Sequence, residues 1–257
     1  MEFTLAQMAV LCGLIFLGGF VDSVAGGGGL ITLPAYFAMG LPAHAALATN
    51  KFSSVCGTFT AVIRYWRAGA VNLRVGLAAA AGALAGSVAG AKIALIAPAS
   101  TINTVMLVLV PSILVFMLVK DRLIPEVAGF GIPGSRSGLL TVSVVIGLVI
   151  GVYDGFFGPG TGTFLTIAFS VFLGFGLLSS AGNARLANLA SNVGAVAVFL
   201  WNGQVVFPLA LYAAGAGIAG NLLGARLAVR NGARIIKPLM TVVMVLLLAE
   251  VVRRRFF

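Results

Sequence analysis

Apolar residues run along this chain in long stretches that are separated by short polar or glycine-rich segments. A membrane-spanning helix needs about 20 predominantly apolar residues. Two shorter apolar pieces, Leu30 to Met39 and Thr163 to Leu178, directly follow glycine-rich breaks and predict half-helices or re-entrant segments. The total is therefore eight to ten membrane segments, the eight longer ones being Thr4 to Val21, His44 to Ile63, Val75 to Ile96, Thr101 to Val119, Leu139 to Tyr153, Leu186 to Leu200, Phe207 to Val229 and Leu239 to Val252.

Composition agrees with a polytopic membrane protein. Hydrophobic residues make up 60% of the chain and charged residues 9%, against about 25% charged residues in an ordinary soluble domain. The first apolar run resembles the core of a signal peptide, but Glu2 precedes it and the pattern recurs in mid-chain, so we expect a retained span. The net charge of +10 is expected to anchor the chain against anionic lipid head groups, and nucleic-acid binding is not needed to explain it.

Few residues in this sequence suit a cofactor or a catalytic triad. His44 is the single histidine, and Cys12 and Cys56 lie inside apolar stretches, where a thiol usually behaves as a small hydrophobe. We therefore expect neither a metal site nor a disulfide.

The chain divides into two similar halves. A charged segment that contains proline and glycine, residues 121–137, predicts a loop between a first transmembrane repeat, residues 1–120, and a second, residues 138–257. Asp22 in the first half aligns with Asp154 in the second at an offset of 132 residues, and Lys51 aligns with Arg185 at an offset of 134. A gap of two residues reconciles the two offsets.

Loop charge predicts that the two halves have opposite orientations in the membrane. Lys and Arg favour cytoplasmic loops. The first-half loop with Arg64, Arg67 and Arg74 is basic, whereas its counterpart at residues 202–204 carries no charge. The opposite holds at the next turn, where the second half has Arg226, Arg230, Arg234 and Lys237 against Lys92 in the first. Both termini are then expected outside, although the run at residues 253–255 is basic and disagrees.

The two glycine-rich runs, residues 26–29 and residues 158–162, predict interruptions of helices at membrane depth. Non-helical backbone survives there only against protein or a wet cavity. A half-helix that starts after each run would direct its N-terminal amides toward an anion; glycines that merely permit close helix crossing are the alternative. Asp22 and Asp154 precede the runs and are candidates for proton coupling, for capping the next half-helix or for pairing with a basic side chain. The candidate backbone ligands are Gly28, Gly29, Gly160, Thr161 and Gly162.

A second constellation follows from helical spacing. Lys51, Ser54 and Thr58 share one helical face, and the aligned face of the second half carries Arg185, Asn188 and Asn192. A cation with two polar neighbours from each half suits an oxyanion. The alternative is that the polar residues hold helices together while the two cations extend to the membrane surface. Asn50 and Ser53 are further candidates.

The sequence resembles the TauE/SafE family of sulfite exporters and related sulfonate permeases. The resemblance rests on Gly19-Phe20-Val21-Asp22 through Gly29-Leu30-Ile31-Thr32-Leu33-Pro34, on Thr49-Asn50-Lys51 and on the repeat of residues 154–162. It implies a multispanning transporter of sulfite, sulfonates or related sulfur-containing anions without a prosthetic group. The second half has Asn183-Ala184-Arg185 in place of Thr49-Asn50-Lys51, so the two sides of any site differ chemically.

The sequence therefore predicts an all-α polytopic membrane protein of two inverted repeats, each with about four transmembrane helices and a glycine-broken segment. We expect a secondary transporter of a small anion, working by alternating access with protons as the candidate coupling ion. A passive anion channel and an intramembrane enzyme are the alternatives, and the chain lacks a G-x-S-x-G signal for the latter. The expected setting is the bacterial inner membrane, as a monomer or homodimer whose partners are the lipid bilayer and a small anionic substrate.

Overall fold

The structure is a computed structural model that describes residues 3–123 and 136–231. Within these ranges all regular elements are α-helices. Their bounds are α1 Leu5–Ala25, α2 Gly29–Ala38, α3 Ala43–Arg67, α4 Leu73–Ile96, α5 Ala99–Leu123, α6 Arg136–Phe156, α7 Thr161–Leu173, α8 Leu177–Trp201 and α9 Leu209–Asn231.

The helices confirm the prediction of an all-α polytopic membrane protein. In the part of the chain that the structure describes, α1, α4, α6 and α8 are long and apolar enough to cross a membrane. The predicted span from Leu239 to Val252 lies outside the described residues, as do Arg234, Lys237 and most of the inter-repeat loop. The total of eight to ten segments and the domain boundaries therefore stay predictions.

Both predicted breaks interrupt helices. α1 ends because Gly26 adopts a left-handed φ of 86°, and its amide donates to the carbonyl of Asp22 at 2.7 Å. α6 likewise ends before Gly158 and Gly160, whose φ angles of 100° and 83° are disfavoured for residues with a side chain. The short helices α2 and α7 follow, as expected for half-helices.

The borders of α7 and α8 differ from the prediction. α7 ends at Leu173 instead of Leu178, since Gly174 adopts a φ of 69°. α8 then begins at Leu177, nine residues before the expected Leu186. The early turns of α8 are polar and interrupt the apolar run, but most of these polar side chains are buried in the protein, so they do not contact lipid: Ser180, Asn183 and Arg185.

Contacts at glycine residues show the relative directions of the long helices. Gly220 on α9 lies against Phe16 on α1, and four residues later Gly224 lies against Phe20, so α1 and α9 are parallel. At the other contacts between long helices, the residue numbers also rise together along both helices, so these pairs are parallel too. The contacts pair α3 with α9 through Ser53–Gly217 and Gly57–Asn221, α4 with α6 through Gly82–Val144, Gly86–Leu148 and Gly90–Val152, and α4 with α8 through Gly76–Asn183 and Ser87–Gly194.

These contacts define two bundles, each with helices from both halves of the sequence. The first bundle contains α1, α2, α3 and α9, and the second contains α4, α6, α7 and α8. The close approach of these helices shows that small residues on α4 and α9 serve helix packing. The two halves are packed in equivalent ways, because the first helix of each half packs along the fourth helix of the other half.

The long helices of the two bundles run in opposite directions. The connector from α3 to α4 spans residues 68–72, and five residues reach at most about 18 Å. A parallel α4 would need a connector that returns along a helix of about 36 Å. Equivalent helices of the two halves are therefore antiparallel, which supports the inverted-repeat prediction.

The orientation in the membrane is directly testable. Arg67 at the end of α3 and Asn202 at the end of α8 are both exposed. Single Arg67→Cys and Asn202→Cys variants, in a background with Cys12→Ala and Cys56→Ala, are expected to react with an impermeant maleimide from opposite sides. The Arg67 loop should be cytoplasmic because it is basic. Labelling of both positions from one side would contradict the inverted repeat.

Candidate functional site

The two glycine breaks touch each other. The α carbon of Gly26 lies so close to Gly162 that a β carbon at either position would overlap the backbone of the other break. The hydroxyl of Thr163 on α7 donates to the carbonyl of Ala25 at 2.7 Å and ties the second break to the first. The two breaks therefore face each other.

A cavity of about 40 Å³ lies beside this contact, with room for about three water molecules. The cavity in the described conformation is therefore small. Most of the predicted site residues line the cavity: Asp22, Gly28, Gly29, Asn50, Lys51, Ser53, Ser54, Thr58, Asp154, Thr161, Gly162, Asn188 and Asn192.

Gly160 is the exception among the predicted backbone ligands. It lies outside the cavity lining, and a β carbon there would lie 3.0 Å from the side chain of Ile113. Its left-handed conformation makes the turn into α7. Its role is to shape the backbone break.

Lys51 forms a buried ion pair with the other half of the chain. Its ammonium lies 2.6 Å from Oδ1 of Asp154, and the two residues are 3% and 2% exposed. The hydroxyl of Thr161 lies 2.7 Å from the same Oδ1 and 2.6 Å from the carbonyl of Gly158, and it shares its one proton between them. Oδ2 accepts a hydrogen bond from Ser191. Three donors from three helices therefore surround the Asp154 carboxylate.

Arg185 forms the second ion pair, also between the halves. Its Nη1 lies 3.2 Å from Oδ2 of Asp22, with Arg185 fully buried and Asp22 18% exposed. Arg185 does not line the cavity, but a β carbon on the cavity residue Gly162 would lie 2.8 Å from both terminal nitrogens. Its guanidinium thus lies against the first turn of α7.

The burial of both cations excludes the alternative that they extend to the membrane surface. Each cation faces the aspartate of the opposite half, so pairing with a basic side chain accounts for the positions of Asp22 and Asp154. The two pairs cancel in formal charge. An anion that enters the site must therefore compete with a carboxylate for its cation, which sequence alone did not indicate.

Several polar residues at the cavity were not predicted. Asn221 on α9 lines it, and its amide lies next to Gly19 and Gly57. Thr32 also lines the cavity, and its hydroxyl donates to Oδ1 of Asn50 at 2.6 Å. The available signal for Asn221 was an amide side chain inside an apolar run.

Other singled-out residues lie away from the site. Lys92 and Arg226 are exposed, as expected for interfacial anchors. His44 contacts the carbonyl oxygens of Ala94 and Ala97 at 3.0 and 3.1 Å, where it satisfies the end of α4. Among the described residues no group of acidic, His or Cys side chains could hold a metal ion.

Comparison with known proteins gives consistent results. The sequence profile described as "Sulfite exporter TauE/SafE" matches residues 11–251. A probable membrane transporter protein of Sinorhizobium sp is 37% identical over 93% of this chain and 90% of its own length. The probable membrane transporter protein YfcA of Escherichia coli K12 is 32% identical over 95% and 88%, and one from Haemophilus influenzae is 31% identical over 98% and 97%. No solved structure matches the chain.

Proposed function

We propose that this chain, which belongs to the TauE/SafE family, is a secondary transporter of a small anion, most simply sulfite, a sulfonate or a related sulfur-containing oxyanion. The observation that carries the proposal is the small cavity where the two bundles meet. Lys51 lines it, and Arg185 lies against Gly162, a lining residue in the first turn of α7. Buried cations and helix N-termini both stabilise an oxyanion.

Alternating access suits this arrangement. The two ion pairs join α3 to α6 and α8 to α1, so both cross from one bundle to the other. Substrate that exchanges for a carboxylate would weaken that connection and permit the bundles to move. Inverted-repeat transporters commonly bind substrate between repeats and work by such relative movement.

Asp22 and Asp154 are the proposed proton carriers. The charged groups that face them are Arg185 and Lys51 respectively. A proton on either carboxylate would release its cation for the anion, and the buried site would stay neutral while both ions cross. Neutrality matters because an uncompensated charge inside the membrane is costly.

A channel and an enzyme remain distinct alternatives. The relatives are described as membrane transporters, which favours transport over catalysis. Ser53, a nucleophile candidate, makes hydrogen bonds to the Tyr36 hydroxyl and the Asn50 carbonyl. Neither group is a general base. The bacterial inner membrane is the proposed location, since the relatives are bacterial.

Counterflow in proteoliposomes tests the function. Vesicles preloaded with sulfite, thiosulfate, sulfate or methanesulfonate are diluted into the labelled anion, with and without an imposed proton gradient. A transporter is expected to accumulate label transiently above its outside concentration. Weakly saturating flux that never runs uphill would identify a channel, and chemical conversion of the anion would identify an enzyme. A protonophore should reduce accumulation if protons are the coupling ion.

A further inference from the structure

The two buried ion pairs are not equally satisfied. Ser191 donates to Oδ2 of Asp154, and the Thr161 hydroxyl shares its one proton between Oδ1 of Asp154 and the carbonyl of Gly158, in addition to the contact with Lys51. Among the described residues, Asp22 receives one side-chain contact, from Nη1 of Arg185 at the longer distance of 3.2 Å. Asp22 is also nine times as exposed as Asp154, at 18% against 2%.

Arg185 retains unused donors. Its Nε and Nη2 are buried and have no hydrogen-bond partner among the described residues. An unsatisfied buried donor costs about 1–3 kcal/mol, and more when it is charged. The unpaired donors show that Asp22 satisfies this fully buried guanidinium only in part, and they point to a better-matched anionic ligand.

The sequence explains why the two pairs differ. Thr161, which holds Asp154, aligns with Gly29 at the 132-residue offset, and Ser191 aligns with Gly57 at the 134-residue offset. The first half thus has glycine at both positions where the second half supplies a hydroxyl to its aspartate. Asp22 consequently lacks the two hydrogen bonds that fix Asp154.

The surroundings of Arg185 also favour an additional anion. Its terminal nitrogens lie against Gly162 in the first turn of α7, where the helix dipole places partial positive charge. Two positive groups in contact repel each other unless negative charge lies near both. Asp22 supplies one carboxylate oxygen to this region, and Nε and Nη2 stay free.

We propose that Arg185 and Asp22 form the exchangeable pair, in which the transported anion displaces the Asp22 carboxylate, while Lys51 and Asp154 stay paired throughout, so that Asp22 is the one of the two aspartates that carries the proton. This inference rests on the proposed transport function and deepens it. The geometry selects an anion with two or more oxygens on one central atom, because a guanidinium binds such a group through two parallel hydrogen bonds. The cation of the first half is then structural, and that of the second half is the ligand.

Anion binding to two isosteric variants tests the assignment. Isothermal titration of purified protein with sodium sulfite and sodium methanesulfonate would compare wild type, Asp22→Asn, Asp154→Asn and the exposed control Lys92→Ala. Asp22→Asn removes the competing charge and keeps the shape of the side chain. If Asp22 occupies Arg185 about 90% of the time, its removal should tighten apparent affinity about tenfold.

The matched variant should behave differently. Asp154→Asn removes a negative charge from the cavity without freeing Arg185, so it is expected to tighten affinity less than Asp22→Asn does. It is also expected to lower thermal stability, because Lys51 loses its buried counter-ion. Binding that is detected in Asp22→Asn and not in wild type would also support the proposal. Unchanged or weaker binding in Asp22→Asn, or tighter binding in Asp154→Asn alone, would overturn it.

Failure of this inference can be separated from failure of the transport function. Equal effects of the two variants in a protein that still performs counterflow would reject the assignment of roles and leave transport standing. No binding by wild type or Asp22→Asn, together with no counterflow of any tested anion, would reject both.

Discussion

Lys51→Met is expected to destabilise the protein by about 3–5 kcal/mol, the usual effect of removing one partner from a buried ion pair. Methionine keeps most of the lysine volume, so a new cavity contributes little. The loss arises because Asp154, 2% exposed, would keep a charge without its cation. The measurement is the free energy of unfolding in detergent, followed by the helical circular dichroism signal during denaturant titration.

A double variant separates charge from packing in that experiment. Lys51→Met with Asp154→Asn removes both charges and should recover part of the lost stability, because no unpaired ion stays buried. Lys92→Ala provides the control, since Lys92 is exposed and an exposed substitution usually changes stability by less than about 0.5 kcal/mol. A loss in Lys51→Met no larger than in Lys92→Ala would contradict the structural role of the pair.

Arg185→Ala should weaken anion affinity about ten- to a hundredfold. Hydrogen bonds to charged groups contribute about 1.5–3 kcal/mol, and each 1.4 kcal/mol corresponds to a factor of ten in the dissociation constant. Stability should decline less than in Lys51→Met, because Asp22 is partly exposed. Titration with methanesulfonate and a thermal unfolding curve on the same sample provide the two quantities.

Arg185→Lys refines the comparison. It keeps the positive charge but loses the planar fork, so its affinity should fall between wild type and Arg185→Ala. Lys92→Ala should bind like wild type. Normal affinity in Arg185→Ala, with damage limited to stability, would remove Arg185 from the site.

Much of the fold follows from sequence because its main signals are local. Apolar length predicts spanning helices, and glycine at Gly26 and Gly158 predicts the breaks, since few other residues adopt a left-handed backbone. The start of α8 was missed for a related reason. Hydropathy treats a polar turn as a loop, whereas the polar residues Ser180, Asn183 and Arg185 face the protein interior.

Most residues that line the cavity were predictable from the sequence, but the pairing of their charges was not. Aligning the halves identified Lys51 with Arg185 and Asp22 with Asp154. The alignment treats the members of each pair as equivalent, and it contains no information on which residues meet across the halves. The pairing of each cation with the aspartate of the opposite half depends on tertiary packing. The position of Asn221 of α9 at the cavity depends on tertiary packing as well.

Each bundle combines helices from both halves of the sequence, and this arrangement affects how the molecule can move. At the α1–α9 and α4–α6 seams, glycines bring the helices into direct backbone contact, so these seams cannot slide without steric overlap. The long helices within each bundle run in the same direction, and the two bundles do not coincide with the two halves of the sequence. Within the described residues, the connectors between the bundles are residues 68–72 and 202–208. Relative movement of the bundles would therefore bend the chain there, far in sequence from the breaks beside the proposed substrate site.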